Sequence, residues 1–379
     1  MVVAACGGAS APPPLAPPAP GAVRATVLGV ALASPWSLAF LPDGRMLVTQ
    51  RGGALAIVRA DGSAIEATVG GVPAVNSGGQ GGLLDVALDP DFAVDPWIYL
   101  SFSEDGPGGS GTALARGRLV GNALQNVAVL WRQQPKVGGG AHYGSRIVFR
   151  PDKTLYMTVG ERAQDDPAAP TSANAQNVAT TLGKVVRLNR DGSIPADNPT
   201  FAQPGALPEL WSIGHRNPQG AALRPGTSEL WLTEHGPQGG DELNRVQGGA
   251  NYGWPLRSYG CPYGAPVGQA CQVGGGTHAP TYVEPATTWV PVSTAPAGMT
   301  FYTGDGFPEW RGNVFVGALA GQTLWRIVLD DASLAVLTRE EVGEVKALNQ
   351  RIRDVRQGPD GWMYLLTDGG SIVRVDRAE

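Results

Sequence analysis

Six segments of this chain share one pattern: alternating apolar residues, a turn built from Pro, Asp or Gly, and then a run of β-formers. They read WSLAFLPDGRMLVTQ, LDVALDPDFAVDPWIYLSFS, SRIVFRPDKTLYMTVGE, GAALRPGTSELWLTEHG, MTFYTGDGFPEWRGNVFVGAL and RDVRQGPDGWMYLLTDGG. Each predicts a hairpin, because alternation sends successive side chains to opposite faces and the turn residues supply the dihedrals of a tight reversal. The segments recur at intervals of roughly 45 to 80 residues, leaving room for two further strands per unit. ALAIV, GKVVRL, TLWRIVL and SIVRV suit those places.

Six four-stranded antiparallel sheets set radially make a six-bladed β-propeller, an all-β fold. A pair of β-sandwiches would need no shared hairpin signature. Composition agrees: 54 Gly and 32 Pro beside only 16% charged residues favour short strands and tight turns over long surface helices. Only residues 176–181 read as helix. Propellers carry function in loops at one end of the central channel, so the site is expected there.

The chain divides into residues 1–22 and a propeller domain over 23–379. In MVVAACGGASAPPPLAPPAPGAV, Val3-Ala4-Ala5-Cys6 resembles a lipobox without its basic and apolar leader, a truncated lipoprotein-signal remnant with Cys6 as lipid anchor. An incidental cysteine in a tail is the equal alternative. The Pro/Ala-rich residues that follow form an extended tether on either reading. Cys261 and Cys271 lie close together in a Gly/Pro-rich loop with no zinc partners nearby, which favours a disulfide over two free thiols. Together these features favour a periplasmic or extracellular location. A net charge of −5 without a Lys/Arg run gives no nucleic-acid partner, and no segment is apolar and long enough to span a bilayer.

Chemistry concentrates in residues 209–255, ELWSIGHRNPQGAALRPGTSELWLTEHGPQGGDELNRVQGGANYGWP. A His-Arg-Asn turn, a Gly-Pro turn and an Asp-Glu pair there offer cations, carbonyls and carboxylates within a few loops. Such groups suit an anionic cofactor held by a hard metal ion. In GGGAHYGSRI, His142 follows glycines that let backbone approach a ligand closely, and a neutral imidazole there suits removal of a hydroxyl proton. In QRIRDV, Arg351 and Arg353 alternate along a strand and share a face, forming an anion clamp, with Asp354 expected to fix their geometry. Each motif also has a plain structural reading as a turn or a solvated strand edge. Their conjunction carries the weight.

These motifs resemble the soluble PQQ-dependent sugar dehydrogenases of the glucose/sorbosone dehydrogenase family, in particular the bacterial aldose branch, from about residue 23 to the C-terminus. The resemblance implies His142 as general base, although Ala141 stands where the better-studied glucose enzymes have an Asp. It implies Arg216 beside the reactive quinone carbonyl and Asn217, Arg351 and Arg353 as further PQQ contacts. Backbone carbonyls of Gly236 and Pro237 would bind a catalytic Ca²⁺, and Glu242 with the Tyr252 backbone a second, structural Ca²⁺. Gln80 would contact the sugar. His215 reads as a packing residue, and Asp241 as a loop carboxylate open to pairing with Arg245. Where relatives carry a lysine, this chain has Ala320, which implies weaker cofactor binding, an altered acceptor preference or an eroded enzymatic function.

The reaction so implied is oxidation of an aldose mono- or oligosaccharide to its lactone, with hydride passing to PQQ and electrons to an external acceptor. Two other readings stand beside it. One is a non-catalytic propeller binding a glycan or protein; the other is a metal-dependent lactonase, which would need carboxylates and amides converging on the metal.

Overall fold

The computed structural model describes residues 21–170 and 173–378. Cys6 and the segment up to residue 20 lie outside the described residues. The fold is a six-bladed β-propeller, each blade a four-stranded antiparallel sheet. Every hairpin segment read from the sequence supplies the first two strands of one blade, beginning with Pro35–Phe40 and Met46–Gln50 and ending with Ile352–Gln357 and Met363–Thr367. The further segments become third strands, including Lys184–Leu188 and Thr323–Leu329. The expected helix over 176–181 is instead a single 3-10 turn at Asn174–Gln176, and a short α-helix at Gly343–Lys346 carried no periodic signal.

The innermost strands of neighbouring blades pack on one another around the axis. Apolar clusters fill the wedges between blades, such as Leu47, Leu55, Ile57, Ile98, Leu100 and Phe102 between the first two. The last blade is closed by the N-terminal strand Val23–Val27, which pairs antiparallel with Ile372–Arg377. All six pairings of innermost with second strand are irregular near the start of the inner strand: at Pro35/Ser37, Leu83/Val86, Gly144/Ile147, Pro218/Gly220, Pro296/Met299 and Ile352/Asp354. Bulges break the ladder and re-aim side chains. Six at the same end mark that end as the functional mouth.

Below the mouth, the channel is plugged by charge. Arg146, 2% exposed, pairs with Asp85 at 3.3 Å and Asp354 at 3.0 Å, and its guanidinium lies 4.1 Å from the Trp36 ring centroid. It also donates to the carbonyls of Gln219 (2.7 Å) and Arg353 (3.3 Å). Arg356 adds bonds to Asp354 (2.9 Å) and Asp85 (3.0 Å). Asp354 therefore does not set the geometry of Arg351 and Arg353. It points into this hub, where it also accepts from the Leu38 amide at 3.0 Å.

Replacing one partner of a buried pair strands the other, a loss of about 3–5 kcal/mol. Asp85→Ala leaves Arg146 and Arg356 undercompensated and should lower unfolding free energy by that amount in urea melts. Asp91→Ala, which removes surface pairs with Lys153 and Arg190, should change little.

Candidate active site

At the mouth, the loop before the third blade brings His142 into place. His142 has φ 52°, a left-handed conformation uncommon outside glycine. Three interactions hold it. Arg162 donates to the carbonyls of Ala141 (2.9 Å), Gly139 (2.7 Å) and Ser110 (2.8 Å). The His142 amide donates to Gln80 Oε1 at 2.9 Å. Gly79 (φ 60°) lies so near Gly140 that an added Cβ would stand 2.3 Å from its carbonyl oxygen, so this approach requires glycine.

The imidazole is 12% exposed, and its Nδ1 lies 2.5 Å from Glu161 Oε1. Glu161 is fully buried at the end of strand Leu155–Val159. Its other oxygen accepts from the amides of Gln164 (2.6 Å) and Asp165 (3.0 Å), and its own amide donates to the Arg216 carbonyl. The carboxylate is thus an acceptor toward His142, which assigns the proton to Nδ1 and leaves the Nε2 lone pair for a ligand. Burial, reinforced by the nearby Arg216 charge, holds the His142 pKa below 6.5, while Glu161 pulls the other way. The sequence reading missed Glu161. Its position closing the TLYMTVGE strand was the available signal, but nothing local tied it to a histidine 19 residues earlier.

Arg216 and Asn217 enter the fourth blade ahead of strand Pro218–Leu223. Arg216 is almost fully buried, its amide donating to Glu234 Oε2 at 2.7 Å and its Nη1 to the His235 carbonyl at 3.3 Å. Asn217 Oδ1 accepts from the Gly144 amide at 3.3 Å. Arg216 Nε and Asn217 Nδ2 are buried donors with no protein acceptor. Buried donors left open cost free energy, so the pair suits a ligand that brings acceptors. His215 is a packing residue, fixed between Ser212 and Glu234 and stacked on Tyr252.

A cavity of about 480 Å³ opens here, lined among others by Arg51, Gln80, His235, Arg351, Arg353 and Asp368. Arg351 and Arg353 do converge, both held by Asp368 at 2.9 and 2.8 Å; Arg353 also donates to Gln219 Oε1 at 2.9 Å. Two guanidiniums sharing one carboxylate, with Arg51 donating to the Gly79 carbonyl nearby, leave the cavity positive, a fit for an anionic ligand carrying several carboxylates. Arg51, His235 and Asp368 were not read from the sequence. His235 donates Nε2–H to the Pro296 carbonyl at 2.9 Å; burial first, then the Arg216 charge, push its pKa down to about 3, so it is neutral. Ala320 occupies an exposed turn after strand Val314–Ala318, and its neighbour Leu319 lines the cavity.

Gly236 and Pro237 follow strand Leu230–Glu234. The turn is fixed by Asp241, whose Oδ1 accepts from the Gly236 amide at 2.9 Å and whose Oδ2 accepts from Ser293, Thr294 and Ala295. Asp241 is therefore buried and structural, and Arg245 pairs with Glu229 instead. Behind the turn, a void of about 10 Å³ is lined by residues including Gly236, Glu234, Glu242 and Tyr252. That is the space of one water or one ion. Glu242 is pushed well above the usual carboxylate range by burial and by the Glu234 charge, and Asn244 Oδ1 nearby is buried without a donor. A cation would relieve all three conditions. Cys261 and Cys271 form a disulfide.

Residues 32–374 match the family model described as Glucose / Sorbosone dehydrogenase. Aldose sugar dehydrogenase YliI of Escherichia coli (strain K12) is 43% identical over 369 residues, covering 94% of each chain. The solved apo-form of a soluble aldose sugar dehydrogenase from Escherichia coli superposes with TM-score 0.85 at 40% identity, covering 94% of this chain and 100% of that one. The PQQ-bound aldose sugar dehydrogenase of Streptomyces coelicolor superposes with TM-score 0.74 at 30% identity, covering 95% and 99%.

Removing the Glu161 charge removes what favours imidazolium at His142. Glu161→Gln should move the His142 titration, followed by ring-proton NMR, further down in pH; an upward or null shift would show that the pair carries no charge coupling.

Proposed function

This chain belongs to the glucose/sorbosone dehydrogenase family, and from that premise we propose that it is a quinoprotein oxidising aldoses at the anomeric carbon to the lactone. One observation carries this reading: a positive cavity beside a histidine whose Nδ1 is fixed by a buried carboxylate. PQQ, aided by Ca²⁺ as Lewis acid, supplies the hydride acceptor when bound. Arg351 and Arg353 hold its carboxylates, and Arg216 and Asn217 give it their unpaired donors. The Gly236 and Pro237 carbonyls hold the catalytic Ca²⁺, and Glu242 with the Tyr252 carbonyl holds a second, structural one.

The sugar is placed by Gln80. Its Oε1 is occupied by the His142 amide, so its amide N–H groups remain to donate to a sugar hydroxyl. The Nε2 lone pair of His142 takes the anomeric hydroxyl proton while Glu161 stabilises the imidazolium that forms. Arg216 faces the charge that develops on the oxidant side. Electrons leave to an external acceptor. Export to the periplasm or beyond, with Cys6 as a lipid anchor, fits the disulfide. Residues 1–22 then serve as the tether to the propeller.

The alternatives fit less well. A glycan- or protein-binding propeller has no use for the His142–Glu161 pair. A lactonase needs carboxylate and amide side chains converging on its metal, whereas the Gly236-Pro237 turn offers backbone carbonyls.

Apo-protein reconstituted with PQQ and Ca²⁺ should reduce an artificial acceptor with aldoses, and chelator should abolish the rate; no rate with any aldose would overturn the reading. His142→Ala should remove turnover yet keep PQQ affinity, whereas Arg353→Ala should weaken PQQ binding by about 2 kcal/mol or more. Because burial and the Arg216 charge hold the His142 pKa below the ordinary histidine value, the acid limb of kcat/KM should lie below the pH at which a free histidine titrates.

A further inference from the structure

Tyr263 stands in the long insertion between strands Asp241–Val246 and Thr287–Trp289 of the fourth blade. Its side chain is 73% exposed, yet Arg216 Nη2 lies 3.4 Å from its hydroxyl, and the guanidinium is 5.9 Å from its ring centroid. Trp254 also packs 5.2 Å from the same guanidinium. Arg216 is therefore roofed by an aromatic ring whose outer face is open.

That ring is not on a loose loop. Cys261 exchanges both backbone hydrogen bonds with Gln238 at 3.0 Å and is bonded to Cys271. On the other flank, the Gln238 side chain accepts from the Gly264 amide at 3.2 Å and donates to the Ala265 carbonyl at 2.8 Å. Gln238 directly follows the Gly236-Pro237 turn. Tyr263 is thus fastened on both sides to the fixed rim of the site.

A tyrosine present only to buttress Arg216 would gain more by burial and a shorter bond. At 3.4 Å the hydroxyl contact lies beyond the usual 2.7–3.2 Å range, and most of the ring's apolar area stays in water. A large, rigid, exposed aromatic beside polar groups loses little entropy when a ligand covers it. A pyranose matches such a surface: one face is a patch of C–H groups, while its edge carries hydroxyls for Gln80 and His142.

We propose that Tyr263 is a specificity-determining platform on which the C–H face of a pyranose aldose stacks, setting the sugar over Arg216. This rests on the aldose-oxidation reading above. The chain of contact is short, since the Arg216 carbonyl accepts from the amide of Glu161, the partner of the base. Tyr263 thus touches the residue whose backbone also anchors the partner of the base.

The test uses full-length protein reconstituted with PQQ and Ca²⁺, as wild type and as Tyr263→Ala, Tyr263→Phe and Tyr263→Trp. Rates with glucose and maltose give KM and kcat, and fluorescence titration of the apo-proteins gives PQQ affinity. Stacking predicts a KM about tenfold higher in Tyr263→Ala, a much smaller change in kcat, unchanged PQQ affinity, and near wild-type KM in the Phe and Trp variants. An unchanged KM in Tyr263→Ala overturns the platform. So does a fall in kcat shared by Tyr263→Phe, which would make the hydroxyl a support for Arg216. Wild-type protein that oxidises neither sugar overturns the underlying reading and the platform together, whereas turnover that is insensitive to Tyr263 overturns the platform alone.

Discussion

Arg146 is the interaction on which the rest of the molecule depends. A guanidinium so buried is tolerable only when its charge and donors are all met, and here Asp85, Asp354 and two backbone carbonyls meet them. With Trp36 beneath the guanidinium and Arg356 beside the carboxylates, the hub joins the innermost strands of five blades, the fifth excepted. Those carbonyls belong to Gln219 and Arg353, which also line the cavity above. One cation therefore fixes both the width of the channel and the floor on which a ligand would rest.

The floor explains the electrostatics of the mouth. Cations are gathered there at Arg51, Arg216, Arg351 and Arg353, and alone they would press every nearby histidine toward neutrality. His235, neutral chiefly because it is buried, is pushed the same way by the Arg216 charge. His142 is buffered, because a fully buried carboxylate sits against its Nδ1. Two histidines in one field thus take different characters, and only the one with an acidic partner is tuned for proton transfer.

The blades were legible in the sequence because a hairpin is local: alternation and turn chemistry within some 20 residues specify strand, reversal and strand. His142, Arg216, Gln80, Arg351 and Arg353 were legible as candidates because their motifs are short. Their partners were not. Asp354 stood next to the clamp in sequence and invited assignment to it, yet a strand sends neighbours to opposite faces, so Arg353 reached Asp368 and Asp354 turned to Arg146. The pairs of Arg353 with Gln219 and of Arg146 with Asp354 span many blades of sequence. Side-chain pairing across a ring is set by closure, and no local pattern encodes it. Asp241 and Arg245 make the same point, since both found partners outside their own loop.

The closing strand Val23–Val27 carries a consequence for how the molecule is born. Val23–Val27 has no strand partner until Ile372–Arg377, on the far side of the other blades in sequence, has been made. Until then the final blade lacks its outer edge, and its unmet backbone is open to pairing with other chains. The arginine clamp also lies on that blade, so a complete ligand cavity exists only after the two ends of the chain meet. Anything that binds across the cavity then acts as a latch on the seam, and occupancy should slow its opening more than that of any other blade.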